Sequence, residues 1–169
     1  MKSNYKMIRM AVIATLCWAT LGSAQVLTGS LLTGDQLKKA IPNTFFFAGQ
    51  VATVQARNST GVKNSGGKLV LAGMVDTTGY ATAIADKYQG FLITETKLSF
   101  EGATLEPGAY GFGFKDGKFT VMNVAGTDLF SIASQNDDQL KHPVPLKFGK
   151  SDTGYRLYAG RKYVVVKTD

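Results

Sequence analysis

The chain is poor in the residues that most often carry chemistry. Among 169 residues there is one cysteine, one tryptophan and one histidine. Cys17 and Trp18 both fall in an N-terminal segment that reads as an export signal. Lys2, Lys6 and Arg9 stand there without an acidic residue, an apolar run follows from Met10 to Leu21, and Gly22-Ser23-Ala24 supplies small residues for cleavage before Gln25. The apolar run is shorter than the roughly 20 helical residues a bilayer demands, which disfavours a retained anchor. Leu16, rather than a small residue, precedes Cys17 and disfavours a lipid-modified cysteine. Residues 1–24 are therefore expected to be a signal peptide and 25–169 a single β-rich domain, periplasmic or extracellular, with no transmembrane segment after cleavage.

The mature chain then holds no cysteine, which excludes disulfides, thiol catalysis, thiolate metal sites and redox switching. It also loses tryptophan, the strongest ring for stacking on sugars. The lone His142 lies beside Pro143 in a polar stretch, and neither a Gly-x-Ser-x-Gly elbow nor a His-Glu-x-x-His zinc motif occurs. Asn136-Asp137-Asp138 offers oxygen atoms but lacks the alternating spacing and the glutamate of a calcium loop. Gly108, Gly111 and Gly113 alternate with aromatic residues instead of opening a helix, so they do not form a phosphate loop. No metal and no cofactor is expected.

Charge is mild and uneven. With the signal removed, 145 residues remain, with 16 basic groups against 12 acidic ones, a net +4. Such an excess attracts anions without indicating nucleic acid. The length suits one domain that buries roughly 70% of the surface its unfolded chain exposes. From Gln139 onward Lys141, Lys147, Lys150, Arg156, Arg161, Lys162 and Lys167 face only Asp152 and Asp169. Lysines on edge strands that block aggregation explain much of this run, and a patch for anionic glycans is the functional alternative.

What the chain has in quantity is short apolar runs between turn signals. Thr33-Gly34-Asp35 before QLKKAI and Pro42 predicts a short helix near 35–41. Thr44–Arg57 reads as a strand with a bend at Gly49, Asn58–Gly67 as a flexible polar loop, and Lys68–Val75 as a further strand. Tyr80, Ile84 and Tyr88, at helical spacing among alanines, predict a second short helix near 80–89 with the tyrosines facing the core.

Leu92–Val124 then reads as an antiparallel meander, with a register break around Thr96–Ser99 and turns at Glu106-Pro107-Gly108 and Asp116-Gly117. Within it Tyr110, Phe112 and Phe114 alternate with Gly111 and Gly113, giving an aromatic face and a bare face that a helix or ligand must cover. Gly108 is expected at the positive-φ position of a type II turn. Three more strands follow Ser134–His142. The pattern predicts a mainly β fold, a single antiparallel barrel or sandwich of about eight or nine strands with two short helices.

The segment Phe100-Glu101-Gly102-Ala103-Thr104-Leu105-Glu106-Pro107-Gly108-Ala109-Tyr110, with its Leu-x-(Ala/Pro)-Gly-x-Tyr pattern, resembles one found in small exported bacterial β domains of unknown function. It covers about a tenth of the mature chain. The resemblance implies a secreted β domain of carbohydrate-binding-like or prealbumin-like shape, and it carries no catalytic residue.

The sequence therefore points to an exported non-enzymatic β domain that binds a small ligand, an anionic glycan or an envelope protein. Tyr158 and Tyr163 flank the basic Gly160-Arg161-Lys162 turn, and Tyr158, Arg161, Lys162 and Tyr163, with Glu95 elsewhere, are the candidate ligand-binding residues, no catalytic residue being assigned. A second reading is a hydrolase or isomerase using carboxylates around Glu95, which stands among apolar and threonine neighbours where burial turns a carboxylate into an acid. A third is a structural envelope protein.

Overall fold

The computed structural model describes residues 29–169. The expected signal peptide and its cleavage point lie outside the described residues. Fourteen strands and two helices follow in the order β1 (Ser30–Leu31), α1 (Gly34–Ala40), β2 (Thr44–Phe47), β3 (Gln50–Lys63), β4 (Leu69–Val75), α2 (Thr82–Ala85), β5 (Gly90–Thr94), β6 (Leu98–Phe100), β7 (Ala103–Leu105), β8 (Gly108–Lys115), β9 (Lys118–Met122), β10 (Asp128–Ala133), β11 (Gln135–Asn136), β12 (Val144–Ser151), β13 (Gly154–Gly160) and β14 (Lys162–Thr168). Among the described residues no helix is long and apolar enough to cross a membrane.

The strands form two antiparallel sheets packed as a sandwich, and among the described residues no barrel closes. The first runs β1-β3-β4-β5-β8-β9-β10, with β2 added on β3, and the second β12-β13-β14-β6-β7, with β11 added on β14. Fourteen strands appear where about eight or nine were expected, because several are pieces of two to four residues that a sequence pattern does not separate. Thr44–Arg57, for instance, divides at Ala48-Gly49, both at positive φ, into the β2–β3 hairpin.

Alternation along the first sheet feeds two cores. Val70 and Ala72 of β4, Leu92 of β5, Phe112 and Phe114 of β8 and Phe119 of β9 point into the sandwich, where they meet Leu146, Phe148, Leu157 and Val164 of the second sheet. The reverse face carries Leu71, Phe91 and Met122, and packs against Phe45, Phe47, Tyr80 and Tyr88. This second core lies under the β2–β3 hairpin and the α2 segment.

The bare face of β8 is thereby covered twice. A Cβ on Gly111 would sit 2.3 Å from the Phe47 ring, and one on Gly113 would sit 2.0 Å from the Lys87 carbonyl oxygen. The segment after α2 therefore covers Gly113, as the glycine face required, while an aromatic ring from the hairpin covers Gly111. Phe47 is fully buried and stacks on Tyr88 with ring centroids 3.9 Å apart.

Four expectations change in detail, each for a physical reason. The helix near 80–89 is a single turn at Thr82–Ala85. Gly79 at φ +94° and extended Ala81 delay its start, and Gln89 already bonds to β8 at its end. The tyrosines nevertheless face the core as the spacing implied, with Tyr80 and Tyr88 edge to face at 5.4 Å.

The polar stretch from Asn58 is not a loop until Asn64, since β3 continues to Lys63. Its polar groups are used internally: Ser59 Oγ donates to the Gln55 carbonyl at 3.1 Å across a register shift, and Thr60 Oγ1 accepts Phe148 N–H from the second sheet at 3.0 Å. The expected register break near Thr96 is a change of sheet. β6 and β7 leave the meander, pair with each other and join β14, while β5 pairs directly with β8.

Pro107-Gly108 consequently carries the chain from one sheet to the other, and Gly108 is not at positive φ. A Cβ there would lie 2.8 Å from Tyr110 Oη, which folds back to donate to the Glu106 carbonyl at 2.9 Å. Asp116-Gly117, by contrast, forms the expected two-residue turn, with φ of 50° and 72°.

The contact over Gly111 supplies a test. Gly111→Ala is expected to destabilise the protein by about 1–3 kcal/mol through overpacking against Phe47, read as a lower urea midpoint at unchanged slope.

Candidate functional site

At one end of the sandwich an open cleft of about 600 Å³ lies between the two sheets. One wall comes from the first sheet and includes Met74, Gln89 and Phe114. The other comes from the β13–β14 turn, Ala159 to Lys162, and from Pro143 and Pro145 at the start of β12. Met74 and Ala159, both half-buried, give it an apolar floor, beneath which Phe114 belongs to the sandwich core.

The first wall is rigid for a local reason. The β5–β8 ladder stops at Gly90 opposite Phe112, and the Gln89 side chain continues it. Its Nε2 donates to the Phe114 carbonyl at 3.2 Å and its Oε1 accepts Phe114 N–H at 2.9 Å. One side-chain amide thus replaces a missing backbone rung.

The second wall rests on residues outside the sandwich core. Arg156 and Tyr158 are two apart on β13 and so share a face, and Tyr158 stands opposite Tyr163 of β14. The two rings lie 5.2 Å apart, and the Arg156 guanidinium sits 4.7 Å above the Tyr163 ring. The segment after β11 folds over them. Tyr158 Oη donates to Asp137 Oδ2 at 2.8 Å, Arg156 Nη1 donates to Tyr158 Oη at 3.3 Å and lies 3.7 Å from Asp137 Oδ2.

Arg161 closes the cover by donating from its guanidinium to the Leu140 and Lys141 carbonyls. Its own carbonyl accepts Asp137 N–H at 2.9 Å. The two terminal nitrogens of its guanidinium therefore hold backbone, while Lys162, half-buried at the cleft, has no ion pair among the described residues.

The structure therefore brings Tyr158, Arg161, Lys162 and Tyr163 together, in unequal roles. Tyr158 and Tyr163 are only 8% and 9% exposed, so they support the turn and offer no open ring face. Arg161 is a strut, and Lys162 is the group turned to the cleft.

Glu95 does not join them. It lies just past β5, exposed, with Oε2 accepting Leu69 N–H at 2.8 Å. Since Val70 pairs with Thr94 and Met74 with Gly90, Glu95 is at the far end of the β4–β5 ladder from the cleft. Five residues separate it from Met74 along that ladder, about 17 Å at the rise of a strand. Among the described residues no cluster of three or more His, Cys, Asp or Glu side chains is placed to hold a metal.

Three contributors escaped the sequence reading. Gln89 gave no local signal and Phe114 read only as part of an aromatic face, because the bond between them spans 25 residues. Asp137, weighed as a calcium ligand, is instead the acceptor for Tyr158. The i, i+2 spacing of Arg156 and Tyr158 was the one available clue.

The resolved pKa shifts follow the packing. Burial raises Tyr80, Tyr110, Tyr155 and Tyr158, and raises Tyr88 most. At Tyr158 the Asp137 carboxylate adds to this while Arg156 opposes it. The Tyr158 hydroxyl raises Arg156, the Glu106 carboxylate raises Lys97, and bonds from Thr78 lower Asp76.

A phenol with a raised folded pKa keeps its proton in the native state after the unfolded chain has lost it, so its stabilising effect fades as pH rises. Stability is expected to be insensitive to these groups below about pH 10, the ordinary tyrosine value, and to fall above it. Urea titrations across pH 8–12, with phenolate absorbance followed in parallel, check this.

Compared with protein-family models, with curated proteins and with solved structures, the chain gives no match.

Proposed function

We propose that this chain is an exported, non-enzymatic β-sandwich that binds an acidic saccharide in the cleft beside Lys162. The observation that carries the reading is the contrast between neighbours. Arg161 is committed to the Leu140 and Lys141 carbonyls, whereas Lys162 has no ion pair among the described residues and faces a cleft of about 600 Å³. An apolar floor of Met74 and Ala159 beside one ammonium group suits a sugar ring that carries a carboxylate. The C–H face rests on the floor and the carboxylate meets Lys162 in a charge-assisted hydrogen bond.

Two further observations favour binding over turnover. The resolved pKa shifts all run away from neutrality, whereas acid–base catalysis draws on groups tuned towards it. Glu95, the carboxylate that the hydrolase reading relies on, stands exposed at the far end of the ladder. The export assignment rests on the basic, apolar and small-residue segments of residues 1–24.

Calorimetric titration with oligomers of a uronic acid, and with their neutral counterparts, tests the reading. Saturable binding of the acidic oligomer is expected, weakening as salt is added. Lys162→Gln is expected to lose roughly tenfold in affinity at an unchanged melting temperature, equivalent to about 1.4 kcal/mol. Equal binding of the neutral oligomer, or an unaltered Lys162→Gln, overturns it.

A further inference from the structure

Resting on the acidic-saccharide reading of the cleft, we propose that Asn136 accepts a hydroxyl beside the ligand's carboxylate. The cleft then takes the non-reducing end of a 1,4-linked uronic acid chain and not its interior. Three residues form a row across the cleft wall. Ala159 of β13 pairs with Lys162 of β14, and Lys162 pairs in turn with Asn136 of β11. Directly opposed residues of antiparallel strands share a face, and all three line the cleft. The neighbouring pair, Gln135 with Tyr163, faces the other way, where the Tyr163 ring meets Tyr158. At about 4.8 Å per strand, a methyl, an ammonium and an amide group stand side by side over about 10 Å.

The amide has one part open to it. Among the described lining residues, Gln89, Asn136, Arg161 and Lys162 carry polar side chains. Gln89 uses both amide atoms on Phe114, and Arg161 donates to the Leu140 and Lys141 carbonyls. Asn136 is exposed, and its Nδ2 donates to Asp138 Oδ1. A carboxylate accepts and does not donate, which assigns the amide's orientation and leaves Asn136 Oδ1 as the unused acceptor. The wall therefore offers a cationic donor next to a neutral acceptor. An anionic oxygen suits Lys162, and only an O–H or N–H suits Asn136 Oδ1.

Sugar chemistry selects the hydroxyl. In a hexuronic acid the carbon that bears the carboxylate is flanked by the ring oxygen and by carbon 4. The 4-hydroxyl is thus the hydroxyl vicinal to that carbon. Inside a 1,4-linked chain the same oxygen is glycosidic and has no proton to donate. The terminal residue at the non-reducing end keeps it. With the carboxylate on Lys162 and the 4-hydroxyl on Asn136, the C–H edge of the ring falls towards Ala159, and all three groups of the row are matched.

Calorimetric titration of the full chain with methyl glucuronoside, its 4-deoxy analogue and 1,4-linked glucuronic acid oligomers of increasing length tests this. The 4-deoxy sugar is expected to bind roughly threefold to tenfold more weakly, the loss of one neutral hydrogen bond. Asn136→Ala is expected to bind the two sugars equally at an unchanged melting temperature. Oligomers of every length are expected to bind one protein each. Equal binding of the two sugars by the unaltered chain, a preference retained by Asn136→Ala, or several proteins on one long oligomer overturns this proposal alone. No binding of any of these sugars overturns it together with the reading it rests on.

Discussion

The constraint on which the rest depends is that β8 serves two cores at once. Its aromatic face, Phe112 and Phe114, belongs to the sandwich, and its bare face, Gly111 and Gly113, admits other groups to van der Waals distance of the backbone. The absence of a Cβ at Gly111 lets the Phe47 ring close the second core. Its absence at Gly113 lets the Lys87 carbonyl pass directly over the strand, which delivers the next stretch of chain to the end of the β5–β8 ladder. Gln89 arrives there with its amide aligned on both backbone groups of Phe114. The wall of the cleft is thus a consequence of a glycine on the opposite face of the same strand.

The other wall depends on a polar network outside the hydrophobic core. Asp137, Arg156 and Tyr158 are linked to one another, with the Asp137 side chain 15% exposed, although Arg156 Nε is buried without a partner among the described residues. Removal of one member strands the others. Arg161 holds the covering segment down by its carbonyls. The β13–β14 turn is therefore fixed on both sides, and a fixed turn can present Lys162 in one place. Pre-organisation of this kind lowers the entropy lost when a ligand is held.

Local chemistry was legible and long-range partnership was not. The alternation of Tyr110–Phe114, the Asp116-Gly117 turn and the helix before Pro42 follow from period, φ preference, end charges and the proline stop, all of which act within a few residues. The polar residues Asn58–Thr60 read as a loop because Ser59 reaches the Gln55 carbonyl only through the register shift in β3, and Thr60 meets Phe148 N–H only when the two sheets pack.

The Glu106-Pro107-Gly108 segment gives a turn in either reading. Whether it joins neighbouring strands or crosses between sheets depends on where β6 goes, and no residue within it states that. At the site, the basic Arg161-Lys162 pair was visible and its division of labour was not. Tyr158 and Tyr163 looked like surface rings because the segment that buries them lies more than twenty residues earlier.

The central claim is that the binding surface lies where Gln89 and Phe114 meet the β13–β14 turn. Amide chemical shifts followed during titration with a uronic-acid oligomer test it most directly. The account predicts that the perturbed resonances centre on Gln89, Phe114 and Gly160–Lys162, while Thr94 and Glu95 at the far end of the ladder stay unmoved. Perturbations centred on Glu95 or on the Phe46–Val51 hairpin, or none at saturating ligand, would contradict it.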